Sequence, residues 1–312
     1  MKKNIALIDI RLFLYVHFHR KESLLNVFDN IYGVSPLSKF TKMFFVYDNN
    51  KNPYLKKIYP DYKENRTTLR EKQTDAEKAR YKQYSKEYNA FTEVTKYFGT
   101  NITVEGEADT MIEVLADKFT RDGENVYIFS GDGDFNCLLT KPNLWQVTPR
   151  GEVLDEEGVY DKKGVTPEQL RISKNLAGDL KDNIKGIKNL GEIKNKKTGN
   201  RLRKILQSSD NINNILNTVQ EYVDTGKYGM ALPQDYGVSS VKELYEFNSK
   251  LNKAFTYADL TEEHQKELAK QVNVKQVKWN KDDFDFLCWK NFGSGVHLSN
   301  DTLQFFNIKE SI

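Results

Sequence analysis

The chain has 312 residues, 38% of them hydrophobic, and a formal net charge of only +3. That is enough to bury a sizeable core, as one large domain or two smaller ones. No stretch reaches the roughly 18 apolar residues of a membrane helix, and Asp9 and Arg11 interrupt the most apolar part of the first twenty residues, which argues against a signal peptide. Two distant cysteines, Cys137 and Cys288, and four histidines, with His17 and His19 close together, give neither a disulfide framework nor zinc-ligand spacing. The expectation is a soluble, cytoplasmic, monomeric protein whose metal chemistry is that of hard, oxygen-bound ions.

In chain order, residues 4–9 predict a short buried strand ending in Asp9. Residues 42–48 predict a second, ending in Asp48. Residues 74–98 form a long polar helical pattern with Tyr81, Tyr84, Tyr88, Phe91 and Tyr97 as its main apolar positions. Such a helix is expected to pack weakly and to project as an arch or lid. Residues 108–119 place Met111, Ile112, Val114, Leu115 and Phe119 on one side of a helix. Residues 125–130 predict a third strand, followed at once by Gly131-Asp132-Gly133-Asp134. Strands alternating with helices argue for a mostly parallel α/β sheet flanked by helices. After Pro167 the signals are helical, at 167–177, 202–207, 212–222, 240–247, 262–272 and 282–292.

The chemistry lies in the acids. Ligands in a parallel sheet bind outside the carboxyl ends of the strands, where Asp9, Asp48 and Asp132 fall. Glu107 and Asp109 are two apart and share a face only if a helix begins there, as the 108–119 pattern suggests. The glycines around Asp132 and Asp134 let both carboxylates turn to one point. Asp179 and Asp182, three apart, are neighbours on a helical turn. Six or more carboxylates in one cleft repel by several kcal/mol per close pair at reduced dielectric. Divalent cations relieve that most simply, and two magnesium ions about 4 Å apart would activate water against a phosphodiester.

Positive charge gathers elsewhere. Residues 51–96 carry nine Lys and three Arg against seven acids, and residues 181–204 carry seven Lys and two Arg against two acids. The second stretch contains Lys185-Gly186-Ile187-Lys188-Asn189-Leu190-Gly191, followed by Lys194. Its glycine spacing suits a hairpin whose backbone N–H groups approach phosphates without reading sequence.

The ordered set of strand-Asp9, strand-Asp48, Tyr62-Lys63-Glu64-Asn65-Arg66, Glu107-Ala108-Asp109, Asp132-Gly133-Asp134 and Gly178-Asp179-Leu180-Lys181-Asp182-Asn183-Ile184-Lys185-Gly186 resembles the flap endonuclease and phage-type 5′→3′ exonuclease family. The resemblance covers about residues 5–191. It implies a PIN-like 5′ nuclease core (residues 1–165), with a helical arch at about 53–98. A helix–three-turn–helix duplex-binding region follows (166–236), then a helical C-terminal region (237–312). It implies that Glu107, Asp109, Asp132 and Asp134 are the central metal ligands, that Asp9 and Asp48 support them, and that Asp179 and Asp182 contribute from the hairpin side. The implied metal is two or more Mg²⁺ ions, with Mn²⁺ as substitute and K⁺ at the hairpin. Lys63 would contact the scissile phosphate, Tyr62 would stack on the terminal base, and Arg66 or Arg70 would steer phosphate. Arg20, Lys72, Lys185, Gly186, Lys188, Gly191 and Lys194 would touch nucleic acid, Arg20 being better spaced than Arg11 after Asp9. Thr110 stands where many members carry another acid. The implied partners are DNA with a 5′ flap or 5′ end, RNA–DNA hybrids and replication proteins, and the implied role is replication or primer removal. Two other classes compete: a PIN-like ribonuclease, which would lack the 179–191 hairpin, and a non-catalytic branched-DNA-binding module, which would not need the complete acid set.

Overall fold

The computed structural model describes residues 2–12, 14–15, 40–49, 52–66, 72–191, 193, 200–274 and 281–292; Arg20, Arg70 and Lys194 lie outside them. Among the described residues, β1 (Asn4–Asp9), β2 (Lys42–Val46), β3 (Thr100–Ile102), β4 (Asn125–Phe129), β5 (Leu144–Val147) and β6 (Val153–Leu154) form one sheet in the order β3-β2-β1-β4-β5-β6. Every neighbouring pair is parallel except β5 with β6. The predicted mostly parallel sheet is therefore present. Three of its strands were legible in the sequence, whereas β3, β5 and β6 are too short to show a period of two.

Side chains alternate across the sheet, and both faces are buried. Ile5, Leu7, Phe44, Val46, Val126 and Ile128 meet Met111, Ile112 and Leu115 of α3 on one face. Ala6, Ile8, Phe45, Tyr127 and Phe129 meet Tyr84, Phe91 and Val94 of α2 on the other. Here α1 is Pro53–Ile58, α2 is Asp75–Thr95 and α3 is Ala108–Arg121. The register sets Asp9 beside Val46, and Ile8 beside Phe129. Asp9, Asp48 and the turn after β4 thus leave the sheet along one edge.

The long polar helix is present, begun by a Thr74/Glu77 capping box, but its predicted weak packing is corrected. Its first turns, from Asp75 to Gln83, are exposed. From Tyr81 onward its tyrosines reach the strand ends. Tyr84 Oη donates to the Arg11 carbonyl at 2.8 Å, Tyr88 Oη accepts the Asp48 N–H at 3.0 Å, and Arg11 Nη2 donates to Tyr81 Oη at 3.3 Å. Spaced three and seven apart, these rings lie along one helix face, and they serve as anchors.

The second half contains α4 (Glu156–Lys163), α5 (Pro167–Ala177), α6 (Asn200–Gln207), α7 (Ile212–Asp224), α8 (Val241–Leu251), α9 (Glu262–Val272) and α10 (Lys281–Phe292). After α5 the chain forms a short antiparallel pair, β7 (Gly178–Asp179) with β8 (Ile184–Lys185). Asn248 on α8 donates to the carbonyls of Asn175 and Lys185, each at 2.9 Å, so α8 braces this hairpin against α5. On the other side Tyr54 Oη lies 2.5 Å from His264 Nδ1, and Gln271 Oε1 accepts the Thr103 N–H at 2.8 Å, joining α9 to α1 and β3. The main hydrophobic core continues from the sheet through α5 to α8 and α9.

Two substitutions test this framework. Gly186 has no room for a side chain, because a Cβ there would lie 1.9 Å from the Ala177 carbonyl carbon. Gly186→Ala should therefore cost about 1–3 kcal/mol of stability, measured by denaturant unfolding; an unchanged midpoint would refute the close approach. Glu113 on α3 accepts the Phe255 N–H at 3.0 Å, and burial pushes its carboxyl up from 4.5 to about 7. A carboxyl whose folded pKa is raised binds its proton more tightly in the folded state, so it lowers stability as pH rises from 4.5 through about 7. Glu113→Gln should flatten that slope, with a gain over the parent on the order of 3 kcal/mol at the alkaline end. Parallel unfolding curves of parent and variant across this range would sink the assignment.

Candidate active site

The cleft is built from strand ends. Asp9 closes β1, and its carboxylate accepts from Ser130 Oγ at 2.9 Å and from the Leu12 N–H at 3.3 Å. Asp48 follows β2; one oxygen accepts the Ala108 N–H at 2.8 Å, at the α3 N-terminus where the helix dipole favours an anion. Its other oxygen pairs with Arg11. Glu107 is the N-cap residue of α3 and Asp109 lies in the first turn, the helix start that the spacing required. Asp132 Oδ1 accepts the Asp134 N–H at 3.0 Å. Gln146 Nε2 holds that turn through the carbonyls of Ser130 and Asp132, at 2.8 and 2.7 Å. The role predicted for its glycines is corrected: neither Gly131 nor Gly133 has a positive φ. Gly131 is small because Pro149 and Leu12 crowd it, at 3.1 and 3.3 Å from where a Cβ would stand.

Asp9, Asp48, Glu107, Asp109 and Asp132 line a cleft of about 600 Å³ together with Arg11, Lys63 and Arg66. A smaller adjoining hollow of about 80 Å³ shares Glu107, Asp109 and Asp132 and adds Asp134, Asp182 and Glu113. Seven of the eight predicted acids thus line two connected hollows. Asp179 lines neither; it caps the turn Leu180–Asp182 by accepting the Lys181 N–H at 2.9 Å.

Burial and mutual repulsion leave these acids short of positive charge. Burial pushes Asp9 up to about 7, against the pull of the Ser130 hydroxyl and with Asp48 adding to the rise. Asp109 is raised well above its ordinary value by burial and then by Glu107; Asp132 is raised by burial and then by Asp134; Asp179 is raised by burial and then by Asp182. Basic side chains answer part of the deficit. Lys63 Nζ lies 2.7 Å from Glu107 Oε2 and 3.5 Å from Asp182 Oδ2, Arg66 Nη2 lies 2.6 Å from Asp182 Oδ1, and Lys174 Nζ lies 2.9 Å from Asp134 Oδ2. Among the described residues, no three acids converge closely enough to hold a metal ion as they stand. The donor set nonetheless suits a hard divalent cation: it is all carboxylate, gathered in one cleft, and under-neutralised.

Some predicted roles change. Tyr62 is 3% exposed, and its hydroxyl bonds Glu107 at 3.0 Å and Asp182 at 3.1 Å; it buttresses the acids, and the predicted base-stacking role is corrected because its ring is enclosed. Lys63 is only 5% exposed, with a left-handed φ of 57°, and its N–H donates to the Asp182 carbonyl at 3.0 Å. Burial alone would lower its pKa, but Asp109, Asp182 and Glu107 outweigh that and hold the ammonium charged. Lys72 is exposed before α2. Lys188 is exposed just after β8, and Lys185 pairs with Asp235. Gly186 packs its backbone against Ala177 with no room for a side chain. Gly191 is exposed with a φ of 83°. Thr110, in place of a further acid, accepts a hydrogen bond from the buried Asn52 amide at 2.7 Å.

The sequence reading missed Lys174, Arg171 and Glu113. Glu113 stands four residues after Asp109 on α3, and Arg171 and Lys174 stand three apart on α5; those helical spacings were the available signal. Arg11 meets Asp48; Arg20, the better spaced of the two after Asp9, lies outside the described residues.

Comparison with known proteins agrees with this geometry. The model of the 5′-3′ exonuclease N-terminal, resolvase-like domain matches residues 5–165, just over half of the chain. DNA polymerase I of Bacillus subtilis is 39% identical over 113 residues, which are 34% of this chain and 13% of the polymerase. The chain therefore corresponds to a small part of that relative. The 5′-3′ exonuclease of Buchnera aphidicola is 28% identical over 236 residues, 70% of this chain and 75% of that one. The solved 5′-exonuclease of T5 superposes with a TM-score of 0.68 at 22% identity, covering 86% of this chain and 98% of its own; at that identity the likeness speaks for the fold. With its family-model match spanning the sheet and the acids at its carboxyl edge, this chain belongs to the 5′-3′ exonuclease family.

Proposed function

We propose that this protein is a divalent-metal-dependent 5′ nuclease that hydrolyses phosphodiesters at 5′ ends or branches of DNA, with RNA–DNA hybrids as a further substrate and primer removal in replication as its setting. The observation that carries the reading is the acid cleft: carboxylates from the ends of β1, β2 and β4 and from the start of α3 line one cleft beside Lys63 and Arg66. The Buchnera relative, a 5′-3′ exonuclease, and the T5 structures, one a flap endonuclease with DNA and metal ions, support the same substrate class. Glu107, Asp109, Asp132 and Asp134 are the residues we assign to hold magnesium, with Asp9, Asp48, Asp179 and Asp182 in support. Manganese would substitute, and a potassium ion at the 186–191 hairpin belongs to the same reading. Bound there, the metals would supply water activation and stabilisation of the leaving oxygen.

The chain's own residues prepare that chemistry. Arg11 and the α3 N-terminus fix Asp48, Ser130 fixes Asp9, and Gln146 fixes the Asp132 turn. Lys63 and Arg66 bring positive charge to the rim, where a phosphate gains most as charge develops in the transition state. The exposed Lys188 holds the adjoining duplex without regard to sequence. The hairpin disfavours a plain PIN-like ribonuclease, and the complete acid set disfavours a non-catalytic binding module.

Asp132→Asn removes one metal-holding charge and no duplex contact. It should lower cleavage of a labelled 5′-flap substrate in magnesium by about 100-fold or more while keeping binding within a few-fold. Activity within tenfold of the parent would discard the site. A second variant tests whether Lys63 neutralises the acids. Lys63→Met leaves Glu107 without its ammonium partner and should destabilise the metal-free protein by about 3 kcal/mol. Magnesium should then raise the melting temperature more in the variant than in the parent. An equal rise in both would show that Lys63 and the cations do not answer the same charge.

A further inference from the structure

Two of the cleft acids sit on short connecting segments. Asp48 leads into residues 49–52, which run on into α1, and Glu107 is reached from β3 through residues 103–106. The segments meet at one antiparallel bridge: the Asn49 N–H donates to the Gly106 carbonyl at 2.9 Å, and the Gly106 N–H to the Asn49 carbonyl at 2.7 Å. Asn49 Nδ2 also donates to the Thr103 carbonyl at 2.7 Å. Gly106 holds a φ of 139°, a conformation open to glycine. A single bridge through a glycine is a slender hold for the carboxylates on either side of it.

Helix α9 grips both segments, and it lies beyond residues 5–165, the span of the family-model match. On the 103–106 side, Gln271 Oε1 accepts the Thr103 N–H at 2.8 Å, and Gln271 Nε2 donates to Thr103 Oγ1 at 3.3 Å. His264 Nε2 faces Glu105 Oε2 at 3.6 Å. On the α1 side, Tyr54 Oη accepts the Thr261 N–H at 3.2 Å and lies 2.5 Å from His264 Nδ1. With that N–H donating to it, the hydroxyl directs its own proton at Nδ1, and the neutral ring then carries its hydrogen on Nε2, toward Glu105. His264, its side chain only 12% exposed, thus meets both segments at once. It shares a helix face with Gln271, seven residues on. Leu268 and Val272 seat α9 in the main core. Apolar contact is not directional, so those two hold the helix on without setting where residues 103–106 lie; hydrogen bonds, which are directional, do that.

We propose that His264 and Gln271 of α9 are positioning residues for the acid cleft: they clamp the start of α1 and the 103–106 segment together, and so fix Asp48 and Glu107 for metal binding. The proposal rests on the metal-dependent nuclease reading above. The test reads magnesium binding by calorimetry on the whole chain, beside single-turnover cleavage of a labelled 5′ flap and duplex binding in EDTA. The double variant His264→Leu with Gln271→Leu should bind magnesium about tenfold more weakly, as loss of partners outside the ligands does. It should need correspondingly more magnesium for half-maximal cleavage, with duplex affinity unchanged. His264→Asn keeps an acceptor for the Tyr54 hydroxyl and should bind magnesium as the parent does. Leu268→Ala loosens the apolar seat of α9; it should melt lower yet keep the parent's magnesium affinity well below melting. Tyr54→Phe removes one hydroxyl and keeps the ring beside Phe255. It should weaken magnesium binding several-fold, and it carries the test if the double variant does not fold. Parent affinity in the double variant, or in Tyr54→Phe where that one carries the test, would overturn the clamp and leave the nuclease reading standing. So would a loss in Leu268→Ala equal to that in the double variant, which would make α9 a general stabiliser. A parent that binds no magnesium would overturn the metal reading and the clamp with it.

Discussion

Crowding of like charge is the constraint on which this structure turns. Parallel pairing in register delivers the carboxyl ends of β1, β2 and β4 to one edge, and each of those ends carries an acid or leads into one. Burial then raises the cost of ionising them together, as the upward shifts of Asp9, Asp109 and Asp132 record. A fold cannot keep such a group charged without opposite charge close by. The neutralising groups come from segments distant in sequence: Arg11 after β1, Lys63 and Arg66 below α2, and Lys174 on α5.

That demand for positive charge ties the parts of the molecule together. The turn containing Lys63 and Arg66 docks on the turn ending at Asp182 through ion pairs, through the Lys63 N–H on the Asp182 carbonyl, and through Asn65 Nδ2 on the Leu180 carbonyl at 2.8 Å. The base of the α2 segment and the hairpin region therefore meet at the acids themselves. A change in charge at the cleft is felt by both, because Glu107 and Asp182 share Tyr62 and Lys63 as partners. Isolated ion pairs on a surface would add little; those of Lys63 are buried and hydrogen-bonded, where removing one partner is costly.

The parts legible in the sequence were those with a strong local signal. The strands ending at Asp9 and Asp48 and the strand before Ser130 are continuous apolar runs, as strands buried on both faces should be. The convergence of Glu107 and Asp109 followed from a helix start that the apolar pattern of α3 fixed independently. Less legible were features whose cause is tertiary. β3 is three residues of Thr-Asn-Ile, held by β2. Gly186 looked like a phosphate-approach glycine, yet the backbone of Ala177 is what leaves it no room. Tyr62 looked like a stacking platform because an isolated tyrosine in a basic segment has no partners; burial against Glu107 and Asp182 supplies them.

The tyrosines of α2 show how the same composition can carry the opposite meaning. A polar helix with few aliphatic positions suggested a loosely held arch. A phenol, however, combines a large apolar ring with a hydroxyl that reaches a buried polar group. Tyr84 and Tyr88 use both ends, with rings against the sheet and hydroxyls on Arg11 and Asp48. Aliphatic residues at those positions would fill the same space and leave the Asp48 N–H without this acceptor. A helix anchored this way is held by the residues that shape the acid cleft. Its exposed first turns, from Asp75 to Gln83, are then carried on a base whose position depends on Asp48 and Arg11. The helix α2 and the cleft are set by one shared group of contacts, and a substitution in that group moves both.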